Sequence, residues 1–270
     1  MSLIQSDELS DRQRDFLRNP TYDRRVVAFF DILGWRSEIV NAGTDPEKIG
    51  RLRRIVIQYS RLLRLPVMAP VNVTTFSDNV VISTPPDQNN TPYFLREMAT
   101  IQVMTLSLGF LLRGGIAVGE IYHDDEAVFG PALNRAYELE STVARVPRIV
   151  IDDDVAQIGK ISGFDFLEDG IRFLDPFTPK FLELWFERSE GRSETQKLYV
   201  EAGLLPNTKS LKVIPGYVAL TVLLNTLKKK IRSPLADKEW EKVAWLYDRL
   251  ATRLGVPSAS SYPRIRPAQD

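Results

Sequence analysis

The chain has no cysteine and a single histidine, His123, among 270 residues. The first absence excludes disulfides, thiolate nucleophiles and cysteine-bound zinc, and the second excludes paired-histidine metal sites. No G-x-x-x-x-G-K-[ST] phosphate loop, G-x-G-x-x-G fingerprint or H-E-x-x-H helix occurs, which removes several common enzyme classes. No apolar run approaches the roughly 18 residues of a membrane span, and residues 1–8 lack the basic and apolar regions of a signal peptide. An excess of charge of either sign is missing too. With 35 Lys and Arg against 35 Asp and Glu, no global field gathers nucleic acid or anionic lipid. The expectation is a cytoplasmic protein with no nucleic-acid partner and no membrane span, in which any anionic ligand is attracted locally.

What is present is an ordinary globular composition, 44% hydrophobic and 26% charged, in a chain long enough for one large domain or a core with an elaboration. Residues 1–23 are polar and read as an arm. Apolar patterning predicts a strand over 25–32, then a helix over 45–65 with Ile49, Leu52, Val56, Tyr59 and Leu63 on one stripe, then a hairpin over 71–83. A second helix over 91–111 starts at Thr91-Pro92, a cap followed by a first-turn proline. A glycine-containing strand over 112–121, a short strand over 127–129, a helix over 131–144 and a strand over 147–151 complete the unit.

This β-α-β-β-α-β order with a βαβ extension is α+β, the ferredoxin-like split-βαβ arrangement, with an antiparallel sheet covered by helices on one face. The expected divisions are an arm over 1–23, a core over 24–160, an elaboration over 161–254 and a mobile tail over 255–270. The elaboration should hold an aromatic-rich hairpin or loop over 164–179 and helices over 211–232 and 234–254. The stripe of Trp240, Val243, Ala244 or Trp245, Tyr247 and Leu250 should pack on the sheet or on a second subunit.

Two carboxylates stand out. Asp31 interrupts an apolar run in Phe30-Asp31-Ile32-Leu33-Gly34, and Asp78 occupies the Ser77-Asp78-Asn79 turn between two β-rich runs. Strands seldom end on a bare carboxylate unless something balances its charge. Brought within ~4 Å of each other, the two would repel by about 4 kcal/mol at an effective dielectric near 20. A divalent cation is the natural remedy.

Four pieces occur in order on this frame: Phe30-Asp31-Ile32-Leu33-Gly34, Asp78 in its hairpin, Arg113-Gly114-Gly115-Ile116-Ala117-Val118-Gly119, and Phe129-Gly130-Pro131-Ala132-Leu133-Asn134-Arg135-Ala136. Over 24–151 the chain resembles the catalytic domain of the class III nucleotidyl cyclases. That resemblance implies that Asp31, Asp78 and the backbone carbonyl of Ile32 hold two divalent cations, Mg²⁺ or Mn²⁺. It also implies that Asn134 serves the site from the other subunit of a homodimer, and that Phe30, Gly34, Thr74 and Ala127 lie around the nucleotide.

The chain departs from the family pattern at three places. Glu138 stands where an arginine is expected to stabilise developing charge, with Arg135 as the neighbouring substitute. Thr74 stands where purine enzymes carry a base-reading lysine or glutamate, and Ala127 where adenylate-type enzymes carry aspartate or threonine. More narrowly the chain resembles the pyrimidine cyclases of bacterial antiphage Pycsar systems. That implies a nucleoside triphosphate substrate, UTP ahead of CTP, conversion to the 3′,5′-cyclic monophosphate, and a separate effector that the product activates. A purine cyclase, or a degenerate module that binds nucleotide without turnover, are the rivals. Arg113 reads as a strand-end ion pair or dimer contact, His123 as part of a solvated hairpin turn, and Lys228-Lys229-Lys230 as a wet helix face.

Overall fold

The computed structural model describes residues 21–62, 71–159, 165–182 and 216–267. The arm over 1–20, Leu63 and the helix end at 65, and the stretch 211–215 lie outside the described residues. The centre is a long antiparallel pair, β1 (Asp23–Leu33) and β4 (Leu111–His123), in register from Asp23 opposite Ile121 to Leu33 opposite Leu111. On the other side of β1 lies β3 (Asn79–Thr84), and beyond it β2 (Asn72–Phe76). The order β2-β3-β1-β4, antiparallel throughout, is that of a ferredoxin-like βαββαβ sheet.

The helices follow the chain. They are α1 (Trp35–Ala42), α2 (Pro46–Leu62), α3 (Thr91–Ser107), α4 (Pro131–Glu138), α5 (Asp153–Gly159), α6 (Gly216–Ile231) and α7 (Asp237–Leu254). The short strand β5 (Val128–Phe129) folds back on the end of β4. β6 (Ile149–Ile151) lies parallel to β4, which needs the crossover that α4 supplies. β7 (Asp165–Glu168) and β8 (Ile171–Leu174) then continue the same sheet beyond β6. Their Asp169-Gly170 turn has positive φ at both residues, the conformation that two-residue hairpins favour.

Alternation along β1 divides the molecule. Val26, Ala28, Phe30 and Ile32 point into the main core, with Leu95 and Met98 of α3, Leu220 and Leu227 of α6, and Tyr247 and Leu250 of α7. Val27 points the other way, into a smaller core with Val81, Ala117, Ala132, Ala136 and Leu139. Helices therefore cover both faces of the sheet, not one as the sequence pattern implied. Burial of the α4 stripe is a tertiary property, and an eight-residue helix carries too short a period to reveal which face it takes. The structure also adds α1, which buries only Trp35 and Ala42 and so leaves almost no periodic signal.

Two adjacent glycines in β4 allow both layers to close. A Cβ on Gly114 would lie 2.3 Å from the Phe30 ring on the main-core side. A Cβ on Gly115 would lie 2.2 Å from the Ala136 carbonyl oxygen and 2.6 Å from Leu139 Cβ on the α4 side. The first glycine seats Phe30 and the second lets α4 approach the strand backbone. Among the described residues no helix is long and apolar enough to cross a membrane.

The contact at Gly115 yields a stability prediction. Gly115→Ala should lower stability by about 1–3 kcal/mol through overpacking against backbone that cannot yield without moving α4. Gly50→Ala, in α2 with nothing within 4 Å of the added carbon, should be neutral or stabilising by up to about 1 kcal/mol. Urea unfolding midpoints of the two variants measure the contrast.

Candidate active site

The β1–β4 register sets Asp31 directly opposite Arg113. Directly opposed residues project to the same face, and Arg113 Nη2 donates to Asp31 Oδ2 at 2.9 Å. Both side chains are about one-fifth exposed. On its other side the Arg113 guanidinium makes a short ion pair through Nε with Glu140 Oε1, whose side chain is 2% exposed. Glu140 lies in the single π-helical turn, Leu139–Val143, that prolongs α4. Such turns are rare and often mark functional positions. Burial and the charge of Asp31 push the Glu140 carboxyl up to about 7, against the pull of Arg113 and Lys242.

Asp78 reaches the same place from the β2–β3 turn. The preceding residue, Ser77, is held at φ 56°, uncommon for a residue with a Cβ and worth of order 1–3 kcal/mol of strain. Trp35 Nε1 donates to Ser77 Oγ at 3.2 Å and ties the turn to the start of α1. Burial pushes the Asp78 carboxyl above its ordinary range, and hydrogen bonding and charge from Asp31 push it further. The structure thus brings together the two carboxylates, from segments 47 residues apart in the chain numbering, with the Arg113 guanidinium beside Asp31.

Other sequence-predicted residues fall differently. The Phe30 side chain is fully buried in the main core, so it packs beneath the strand and does not line the site. Ile32 likewise buries its side chain in that core. Gly34, at φ 80°, turns the chain from β1 into α1. Asn134 is exposed in the first turn of α4. Arg135 is not free: Nε and Nη2 each donate to Asp152 at 3.0 Å, and Nη1 to Glu138 at 3.0 Å. These partners raise its pKa further and fasten α4 to the end of β6. Ala127 is exposed in the β4–β5 turn, its N–H donating to Asp124 Oδ1. Lys230 pairs with Glu38 of α1 at 3.8 Å, and Lys228 lies over the Tyr262 ring.

His123 corrects the sequence reading outright. It is 8% exposed, not in a solvated turn. Its Nδ1 lies 2.8 Å from Ser83 Oγ and its Nε2 3.1 Å from Thr74 Oγ1. Burial and then Arg25 depress its pKa from 6.5 to about 4. Sequence reading missed Glu140, Arg25, Asn72 and Ser83, none of which sits in a motif. Only the register of β1, β2, β3 and β4 brings them to their partners.

No protein-family model matches the chain, and no curated protein matches it. Solved structures similar to it include a bacterial light-regulated adenylyl cyclase (18% identity, TM-score 0.43, 58% of this chain and 53% of that one). Others are the guanylyl cyclase domain of the RhoGC fusion protein from the aquatic fungus Blastocladiella emersonii (16%, 0.42, 57% and 95%) and an adenylate/guanylate cyclase/hydrolase from Silicibacter pomeroyi (18%, 0.40, 56% and 95%). The chain spans about half the length of the light-regulated enzyme.

The buried imidazole sets an acid dependence. The unfolded chain takes up a proton at His123 below about pH 6.5, whereas the folded chain takes it up only near 4. Between those values the unfolded state binds more protons, so stability falls as pH falls from 6.5 towards 4. The His123 ring resonances should titrate with a midpoint near 4. In His123→Gln this part of the acid sensitivity of unfolding should vanish.

Proposed function

We propose that the chain is a nucleotide cyclase that converts a pyrimidine nucleoside triphosphate, UTP first, into its 3′,5′-cyclic monophosphate and pyrophosphate. The observation that carries this reading is the meeting of Asp31 and Asp78 at the edge of β1 and β3, with Asp78 raised by burial and by its neighbour. Two crowded carboxylates supply hard oxygen donors that suit Mg²⁺ or Mn²⁺. Among the described residues no cluster of three or more metal-ligating side chains forms. A cation here would take its remaining oxygens from backbone, such as the Ile32 carbonyl, from water and from substrate phosphates, as Mg²⁺ commonly does. When bound, the cations would supply charge stabilisation at the attacking and leaving oxygens.

The chain's own residues divide the remaining work. In the reaction the ribose 3′ oxygen bonds to the α-phosphorus, the α–β phosphoanhydride bond breaks and the 3′ hydroxyl proton leaves. Asp31 and Asp78 hold the reacting end. Arg113 fixes the orientation of Asp31 through the 2.9 Å contact, and Glu140 in turn holds Arg113. Asn134, exposed on α4, belongs to the ribose of a site completed across a homodimer, so that each site takes Asp31 and Asp78 from one subunit and Asn134 from its partner. Thr74 and Ala127 lie at the base. The product would serve as a messenger for a separate effector, in antiphage defence.

A second reading has one observation in its favour. Arg135, the substitute for the arginine expected at 138, is already engaged by Asp152 and Glu138, which fits a module that binds nucleotide without turnover.

Incubation of purified protein with each of the four ribonucleoside triphosphates and Mn²⁺, with products identified by mass spectrometry, separates the readings. Cyclic UMP as the main product is expected, and bound but unconverted nucleotide would favour the binding module. Asp31→Asn and Asp78→Asn should each lower turnover by at least about a hundredfold in protein that remains folded, because each removes a ligand charge at constant size. Asp31→Asn, which also takes a partner from Arg113, should lower the unfolding midpoint more than Asp78→Asn does.

Complementation tests the shared site. Asp31→Asn chains mixed with Asn134→Ala chains should regain activity, since one of the two sites in the heterodimer is intact. No recovery after verified subunit exchange would place Asn134 in the same chain's site.

A further inference from the structure

The hydrogen bonds around His123 have a direction. Arg25 Nε donates to Ser83 Oγ at 2.8 Å, Ser83 Oγ lies 2.8 Å from His123 Nδ1, and His123 Nε2 lies 3.1 Å from Thr74 Oγ1. Asn72 locks the frame, accepting from Arg25 Nη2 at 2.8 Å and donating to the His123 carbonyl oxygen at 2.8 Å. A guanidinium can only donate. Ser83 is fully buried, and among the described residues the acceptor in contact with its hydroxyl is His123 Nδ1. The serine proton therefore goes to Nδ1.

A ring held neutral carries one N–H, and with Nδ1 accepting, that N–H is at Nε2. It donates to Thr74 Oγ1. Thr74 then keeps its own hydroxyl proton for something outside the network. Its position makes that outward group informative. Thr74 pairs with Val81 and Val81 with Phe29, two residues before Asp31 on the same strand, so Thr74 shares the face of the sheet that carries Asp31.

We propose that the Arg25–Ser83–His123 relay fixes Thr74 as a hydrogen-bond donor that takes the C4 carbonyl oxygen of a uracil base and refuses the 4-amino group of cytosine. That Thr74 meets the base rests on the proposed function. The polarity of the relay rests on the geometry alone. A carbonyl oxygen completes the chain of donors. An amino group in its place can reach only the remaining lone pair of Oγ1 and leaves the threonine proton unpaired, the kind of mismatch that polar sites reject. Thr74 is the residue in contact with the base; His123, Ser83 and Arg25 are positioning residues.

The single histidine makes the polarity measurable without any ligand. In the full-length ¹⁵N-labelled protein near neutral pH, long-range ¹H–¹⁵N correlation should show one imidazole with a protonated Nε2 and an unprotonated Nδ1. The opposite tautomer overturns the relay whatever the enzyme does. Thr74→Val keeps the shape and removes the donor. It should lower the ratio of kcat/KM for UTP over CTP at least about tenfold, and Thr74→Ser should restore most of it. Equal losses on both substrates, in a variant that remains folded under the assay conditions, overturn the C4 assignment. Wild-type protein that shows the expected tautomer yet turns over none of the four triphosphates with Mn²⁺ fails at the proposed function, and the base assignment falls with it.

Discussion

The eleven-residue antiparallel register between β1 and β4 is the constraint on which the rest depends. A slip of one residue would move every β1 side chain to the opposite face. Phe30 would leave the space that Gly114 opens, and Asp31 would point into an apolar core instead of towards Arg113. The register is held by shape as much as by hydrogen bonds. Phe30 fits over one glycine on one face and α4 closes on the next glycine on the other, so slippage costs packing on both sides at once. Full burial of a phenylalanine side chain stabilises by about 1.5–3 kcal/mol, and that term exists only in the observed alignment.

The site that this register creates is an electrostatic compromise. Arg113 lies between Asp31 and Glu140, Asp78 stands beside Asp31, and the Asp78 and Glu140 carboxyls are raised by burial and proximity. Removing one partner from such a buried arrangement costs more than the pair contributes net, because an uncompensated charge remains. The arrangement is also directional. Arg113 makes its contact with Asp31 through Nη2 and with Glu140 through Nε, so the guanidinium plane is set from both ends. A strained Ser77 precedes Asp78 in the turn that sets it beside Asp31. Side chains restrained in this way lose little further freedom when a ligand arrives.

Much of this was legible in the sequence. The β-rich runs, the Thr91-Pro92 start of α3 and the glycine-rich stretch that became β4 all carry local signals, and the structure follows them within a few residues. Asp31 and Asp78 were legible because a carboxylate at a strand edge is locally anomalous. What was hidden depends on long-range pairing. The burial of His123 needs Arg25, Asn72, Thr74 and Ser83, which lie 40 or more residues away. Glu140 follows a helix that ends in a π turn, for which the sequence carries no marker. Arg135 looked available because the sequence does not show Asp152 folding back beside it. The hairpin after residue 164 read as a hairpin or loop of the elaboration, since an aromatic-rich pair of short strands does not announce which sheet edge it joins.

The sheet order places the two aspartates on elements of unequal tenacity. Asp31 belongs to a strand with hydrogen-bonded neighbours on both sides, whereas the turn bearing Asp78 ends β2, which among the described residues pairs with β3 alone. Local opening draws first on segments with few buried contacts and exposed backbone hydrogen bonds. Amide protons of β2 should exchange with solvent well ahead of those in β1 and β4. Mild denaturant would therefore loosen the site before the domain, with β2 and its turn parting from β3 while β3 and the central pair of strands remain closed.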